Sequence, residues 1–185
     1  QEPTDLDATY QLGNFLAWEE RYDEAIHIYQ AILISDPKYE EAEIGIAQVL
    51  AWKGEQQTAQ ERYEAILTKN SKSFGANRGL GFLSLWANDF AKSIAYFEKA
   101  LKINPEDITS LKGISRAYLG KGDRRRADEY LTQAQIVEFK KTSWPIRLAI
   151  FGGFSLLVLT LFLLFRSRAI SHKKALLKQE VKIIR

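Results

Sequence analysis

The 185-residue chain contains no cysteine and no methionine. The first absence excludes a disulfide framework, a thiolate-ligated metal and a cysteine nucleophile. The second means that Gln1 is not a translated start, and the polar opening QEPTDLD suits a mature chain after signal-peptide removal or a cut from something longer. Histidine is nearly absent: His27 and His172 lie on widely separated segments and share no site. No glycine-rich phosphate loop occurs, since Gly79-Leu80-Gly81 falls inside a helical pattern. Serines and carboxylates are plentiful, but no nucleophile has a base placed to activate it. Acidic pairs such as Asp23-Glu24 and Glu40-Glu41 read as solvated helix starts favoured by the helix dipole. The expectation is a protein that is not an enzyme and has no cofactor and no metal site.

What the chain does have is a period. Trp18, Trp52 and Trp86 are spaced 34 residues apart twice over. Small residues keep the same beat at Gly13, Ala47, Gly81 and Ser115, and again at Ala25, Ala59, Ser93 and Ala127. An apolar series follows at Tyr29, Tyr63, Phe97 and Leu131, and Pro37 and Pro105 stand two periods apart. Such an interval fits one helix-turn-helix unit stacking on copies of itself, because no unit alone buries its apolar face. Four units result, 6–39, 40–73, 74–107 and 108–141, after a short N-terminal extension at 1–5. Each holds two amphipathic stretches, with steps of three and four such as Ala25, Ile26, Tyr29 and Ile32. Turns fall at Glu20-Arg21, Gly54-Glu55, Asn88-Asp89 and Gly122-Asp123, where Gly and Asn tolerate the left-handed conformation that ends a helix. The small series let paired helices approach closely, so Leu at Ala59 or Gly81 should overpack the contact.

These residues resemble the tetratricopeptide repeat family. Its pattern of Leu-Gly, aromatic, Ala, aromatic and Pro is visible in LGNFLAWEERYDEAIHIYQAILISDP and GLGFLSLWANDFAKSIAYFEKALKINP. The resemblance implies an all-α chain, a right-handed α-solenoid whose first helices line a concave groove for an extended or helical peptide. Carried over by alignment, the groove positions are Tyr10, Asn14, Ala17 and Trp18, then Ile44, Gln48, Ala51 and Trp52. The third unit offers Arg78, Phe82, Leu85 and Trp86, and the fourth Lys112, Arg116 and Leu119. Members that clamp a C-terminal carboxylate use a Lys and an Asn from one unit with polar and basic residues from the next two; this chain departs from that pattern, with Tyr10 where the first Lys would be and Gly45, Gly75 and Gly79 at later clamp positions. Arg78, Lys112 and Arg116 remain as an acidic-ligand site. The tryptophans have two readings. As a ladder they would stack on a peptide or on the rings of a polysaccharide; as packing, the favoured reading, each fills the gap to its neighbour. Gly120 in place of a fourth Trp then marks a terminal unit with no successor.

A second feature is LAIFGGFSLLVLTLFLLF, 18 consecutive residues without a charge. Residues 146–165 at about 1.5 Å each match the ~30 Å of a bilayer core, so a single transmembrane helix is expected there. Trp144 and Pro145 suit an interfacial aromatic and a helix start. The C-terminal flank carries seven Lys and Arg and the N-terminal flank four. That bias places the tail in the cytoplasm and the repeats in a periplasm, with a bacterial inner membrane as the expected location. The tail, 166–185, is basic and amphipathic, with Ile170, Leu177, Val181 and Ile184 on one side.

Formal net charge is +3, but the signs are segregated. Residues 1–73 carry 14 acidic and 6 basic groups, net −8; residues 74–145 carry 8 and 12, net +4; residues 146–185 carry one and 8, net +7. The basic excess thus sits beside the bilayer, where anionic lipid at residues 144–174 explains it better than nucleic acid does. The bipolar repeat region leaves room for self-association head to tail. The expected function is a membrane-anchored scaffold or adaptor binding protein partners in a cell-envelope assembly. One competing expectation is the sensory module of a receptor whose output domain lies beyond residue 185. Another is a tail-anchored adaptor with its repeats in the cytosol.

Overall fold

The computed structural model describes residues 5–141. The segment at 146–165 expected to cross a membrane, the basic tail and the first four residues lie outside them. Among the described residues no helix is long and apolar enough to cross a membrane.

Among the described residues eight helices follow one another: α1 Leu6–Trp18, α2 Tyr22–Ser35, α3 Glu40–Trp52, α4 Gln56–Lys69, α5 Phe74–Trp86, α6 Phe90–Ile103, α7 Ile108–Gly120, and α8 from residue 124 to 141. The first helices of successive pairs begin at Leu6, Glu40, Phe74 and Ile108. Helix starts in both positions of a pair are capped by side chains where the sequence offers one. Asp5 accepts from the backbone of Asp7 and Ala8, Ser73 from Ala76, Asp89 from Lys92, Asp107 from Ser110 and Asp123 from Arg126.

The first helices end in one way four times. Arg21 N–H donates to Leu16 C=O at 2.9 Å, and Glu55 to Leu50, Asp89 to Ser84 and Asp123 to Tyr118 repeat the bond one period apart. A left-handed residue sits just before each: Glu20 at φ 61°, Gly54 at 88°, Asn88 at 59° and Gly122 at 76°. This double-bonded cap satisfies carbonyls that the helix end would otherwise leave open. Glu20 is the one long side chain forced into that region, and its conformation is strained.

The small-residue series works through particular aromatic rings. Tyr29 on α2 lies between Gly13 of its own repeat and Gly45 of the next: a β-carbon on Gly13 would stand 2.5 Å from the ring, and one on Gly45 2.8 Å. Phe97 on α6 sits the same way between Gly81 and Gly113, and Tyr63 on α4 presses on Gly79. All three aromatics are buried. Glycine here makes room for a ring that staples two repeats together. The Tyr29 hydroxyl donates to Asn14 Oδ1 at 2.8 Å, and Ser93 donates to Gly81 C=O at 2.9 Å, whereas Asn77 Oδ1 and Ser110 Oγ are buried without a hydrogen-bond partner among the described residues.

Two expectations need correction. Gly120 is occupied from behind: the Phe90 ring lies where its β-carbon would go, so glycine is required by the preceding repeat rather than by the lack of a following one. Glu40 is also more than a solvated helix start, because it accepts from Asn70 and from Ser73 Oγ, both at 2.7 Å, tying α3 to the turn after α4. Asp23 stays a solvated start of α2, and from there it meets Lys53 Nζ at 2.7 Å across the first repeat junction.

Candidate partner-binding site

A cleft of about 330 Å³ opens where α3 and α5 run side by side. Ile44, Gln48, Ala51 and Trp52 form one wall; Gly75, Arg78, Gly79, Phe82 and Trp86 form the other. Tyr63 of α4 reaches in behind, and Thr109 of α7 closes the far end. The walls follow from helical geometry, since steps of three and four keep Ile44, Gln48 and Trp52 on one stripe and Arg78, Phe82 and Trp86 on the next.

The polar groups are few and placed. Arg78 lies with its guanidinium 5.0 Å from the Phe74 ring centroid and 3.8 Å from Asp107, a long ion pair that leaves it partly exposed. Burial raises the Tyr63 hydroxyl well above its ordinary pKa, with Arg78 pulling weakly the other way, so Tyr63 stays a neutral donor. Phe82 meets Phe97 edge to face at 5.0 Å and stands 6.1 Å from Trp86, which fixes the aromatic floor from beneath. An apolar cleft with convergent polar groups suits ligand capture. Among the described residues no group of His, Asp and Glu is arranged to hold a metal ion.

The expected groove residues divide three ways. Seven of them, Ile44, Gln48, Ala51, Trp52, Arg78, Phe82 and Trp86, share this cleft. Tyr10 and Asn14 serve the first repeat instead. Tyr10 packs against Tyr29 and Tyr39 at 5.7 and 5.9 Å, and Asn14 accepts from Tyr29, so neither lines the cleft. Lys112 and Arg116 are exposed on α7, and only Thr109 of that helix reaches the cleft wall. Gly45, read as a clamp position, is buried under Tyr29, whereas Gly75 and Gly79 are part of the wall. Tyr63 and Thr109 were missed. Tyr63 belongs to the packing series, and Thr109 stands one period after Gly75, a signal that alignment of the repeats contains.

The tryptophans are less covered than the packing reading expects. Trp18 is 76 % exposed, Trp52 44 % and Trp86 43 %. None is sealed into a junction between repeats, and Trp52 and Trp86 line the cleft instead.

The tetratricopeptide repeat family model matches residues 75–107, the unit built from α5 and α6. Residues 75–107 form a tetratricopeptide repeat. Solved structures of this fold agree over most of the chain's length. The crystal structure of MamA is 24 % identical with a TM-score of 0.62, over 77 % of this chain and 84 % of that one. MamA from Desulfovibrio magneticus is 24 % identical with a TM-score of 0.59, over 75 % and 78 %. The thermophilic tetratricopeptide repeat protein TTC0263 of Thermus thermophilus is 19 % identical with a TM-score of 0.65, over 72 % and 74 %. No curated protein sequence matches the chain.

Proposed function

We propose that this chain is a membrane-anchored adaptor that holds a segment of a protein partner in the cleft between its second and third repeats. The observation that carries the reading is the pair Trp52 and Trp86, two half-exposed indoles facing one apolar cleft beside Arg78. Indoles left in water forgo ~25 cal/mol for every Å² of apolar surface they could bury, and paired aromatic and arginine anchors are the common energetic centres of protein interfaces. Gln48 and Tyr63 give the cleft hydrogen-bonding groups for a peptide backbone.

The anchor rests on residues 146–165, and the orientation on the Lys and Arg excess that follows them, which favours repeats outside the cytoplasm. A bacterial inner membrane with periplasmic repeats fits both. The test uses a photocrosslinking side chain at Gln48, and separately at the exposed Glu61 on α4, in native membranes. Crosslinked protein from position 48 and none from 61 supports the cleft; equal yields at both positions oppose it. Protease added to intact cells and to spheroplasts tests topology, because periplasmic repeats are cut in spheroplasts whereas cytosolic repeats survive.

A further inference from the structure

Each later repeat buries one face of its first helix. Ile46 and Val49 on α3, Leu80 and Leu83 on α5, and Ile114 and Ala117 on α7 are all buried. One period earlier α1 carries Leu12 and Phe15 at those positions, and there they are 48 % and 54 % exposed. The apolar character is unchanged; what differs is that, among the described residues, no repeat packs against this face of α1. A solenoid end of this kind normally turns polar to remain soluble. This one stays apolar, and Trp18 extends the exposed stripe.

The opposite end differs. Arg124 takes the place that Tyr22 and Phe90 hold in the first and third repeats, and exposed Leu131 takes the place of buried Tyr29, Tyr63 and Phe97. We propose that α1 of one copy docks on the fourth repeat of a second copy, so that the solenoid continues head to tail between chains.

The register follows from contacts already present within one chain. Lys53 meets Asp23 across the first junction at 2.7 Å. Continuing the array past repeat four puts Glu19 of the incoming copy where Lys53 stands and Arg125 where Asp23 stands, the same pair with its signs exchanged. Phe90 covers Gly120 across the third junction. The corresponding pair between copies is Arg124 with Trp18, a guanidinium over an indole. Arg125 now pairs with Glu129 on its own exposed helix at 2.6 Å and exchanges that partner on docking. The larger field agrees, with net −8 on residues 1–73 meeting net +4 on residues 74–145. Because the two surfaces differ, the contact is heterologous and grows rings or filaments rather than closed dimers.

The absence of cysteine supplies the test. The full chain in nanodiscs or detergent micelles is oxidised as the double variant E19C and R125C and run without reductant. A ladder of dimers and higher species is expected, with each single-cysteine variant giving far less. Sedimentation then compares charge variants: E19R is expected to weaken association at least tenfold, R125E likewise, and the two together to restore it. Raising the salt to about 0.5 M should weaken the wild type, since the Debye length shrinks to a few ångströms. A double-cysteine variant without a ladder, single variants that crosslink equally well, or an E19R chain that associates unchanged would each overturn the proposal.

Discussion

The tripeptide Leu-Ala-Trp occurs at 16–18 and again at 50–52, ending α1 and α3 by the same cap. Its surroundings are not the same. In the second repeat the residues before it, Ile46 and Val49, are buried and Trp52 forms a cleft wall. In the first repeat Leu12 and Phe15 stand in solvent and Trp18 is almost free of cover. One local sequence therefore yields either a cleft wall or an uncovered stripe, and the neighbouring repeat decides which. In a repeat array the period sets the helices, but nearest neighbours set burial, and burial sets what each side chain contributes.

The comparison breaks most visibly at the aromatic staples. Phe97→Ala removes a fully buried ring held between Gly81 and Gly113, and should cost about 3–5 kcal/mol. Phe15→Ala removes a similar ring from the uncovered stripe and should cost under about 1 kcal/mol. Urea midpoints at constant slope read both. Next comes Gly81→Leu: the added side chain meets Phe97, whose ring already stands 2.7 Å from the site of a β-carbon, so a loss of about 1–3 kcal/mol is expected. Thermal unfolding of this variant beside Ala87→Leu, on an exposed turn, measures the difference.

Smaller effects sharpen the picture. Tyr29→Phe keeps the ring and deletes its hydrogen bond to Asn14, for about 0.5–1.5 kcal/mol. Burial raises the pKa of Tyr29 and Tyr63 in the fold above the ordinary 10.0, and the hydrogen bond to Asp7, with burial behind it, lifts Tyr39 to about 12. Groups raised in this way stabilise the fold fully below pH 10 and lose that contribution as pH climbs through their folded values. Melting temperature should therefore fall above pH 10, and less steeply in Tyr29→Phe; a profile flat to pH 12 would contradict the burial argument. The smallest change is a gain. Glu20→Gly relieves a left-handed residue at φ 61° and should add about 0.5–1 kcal/mol, while Gly54→Ala, at φ 88°, should lose a similar amount.

The fold was largely legible because its determinants are local and periodic. The αL positions at Glu20, Gly54, Asn88 and Gly122 are marked by spacing even where the residue is not glycine. Seven groove positions were legible for the same reason, since a stripe on α3 and a stripe on α5 follow from helical steps. What stayed hidden depends on distances between repeats. Nothing local in Gly120 announces that Phe90 occupies its side-chain space, and nothing in Tyr10 or Asn14 says that Tyr29 has claimed them. The exposure of the tryptophans is of that kind too: an indole at the end of a helix packs or presents itself according to how closely the next helix comes.

The central claim, that Trp52 and Trp86 present the solenoid to a partner rather than hold it together, is tested most directly by the double variant W52A and W86A carrying the crosslinker at Gln48. Partner crosslinking in native membranes and melting temperature of the purified full chain are measured on the same variant. The account predicts loss of most of the crosslinked product with a melting temperature within about 4 °C of the parent, the shift of roughly 1 kcal/mol. Undiminished crosslinking in a chain that melts far lower would contradict it.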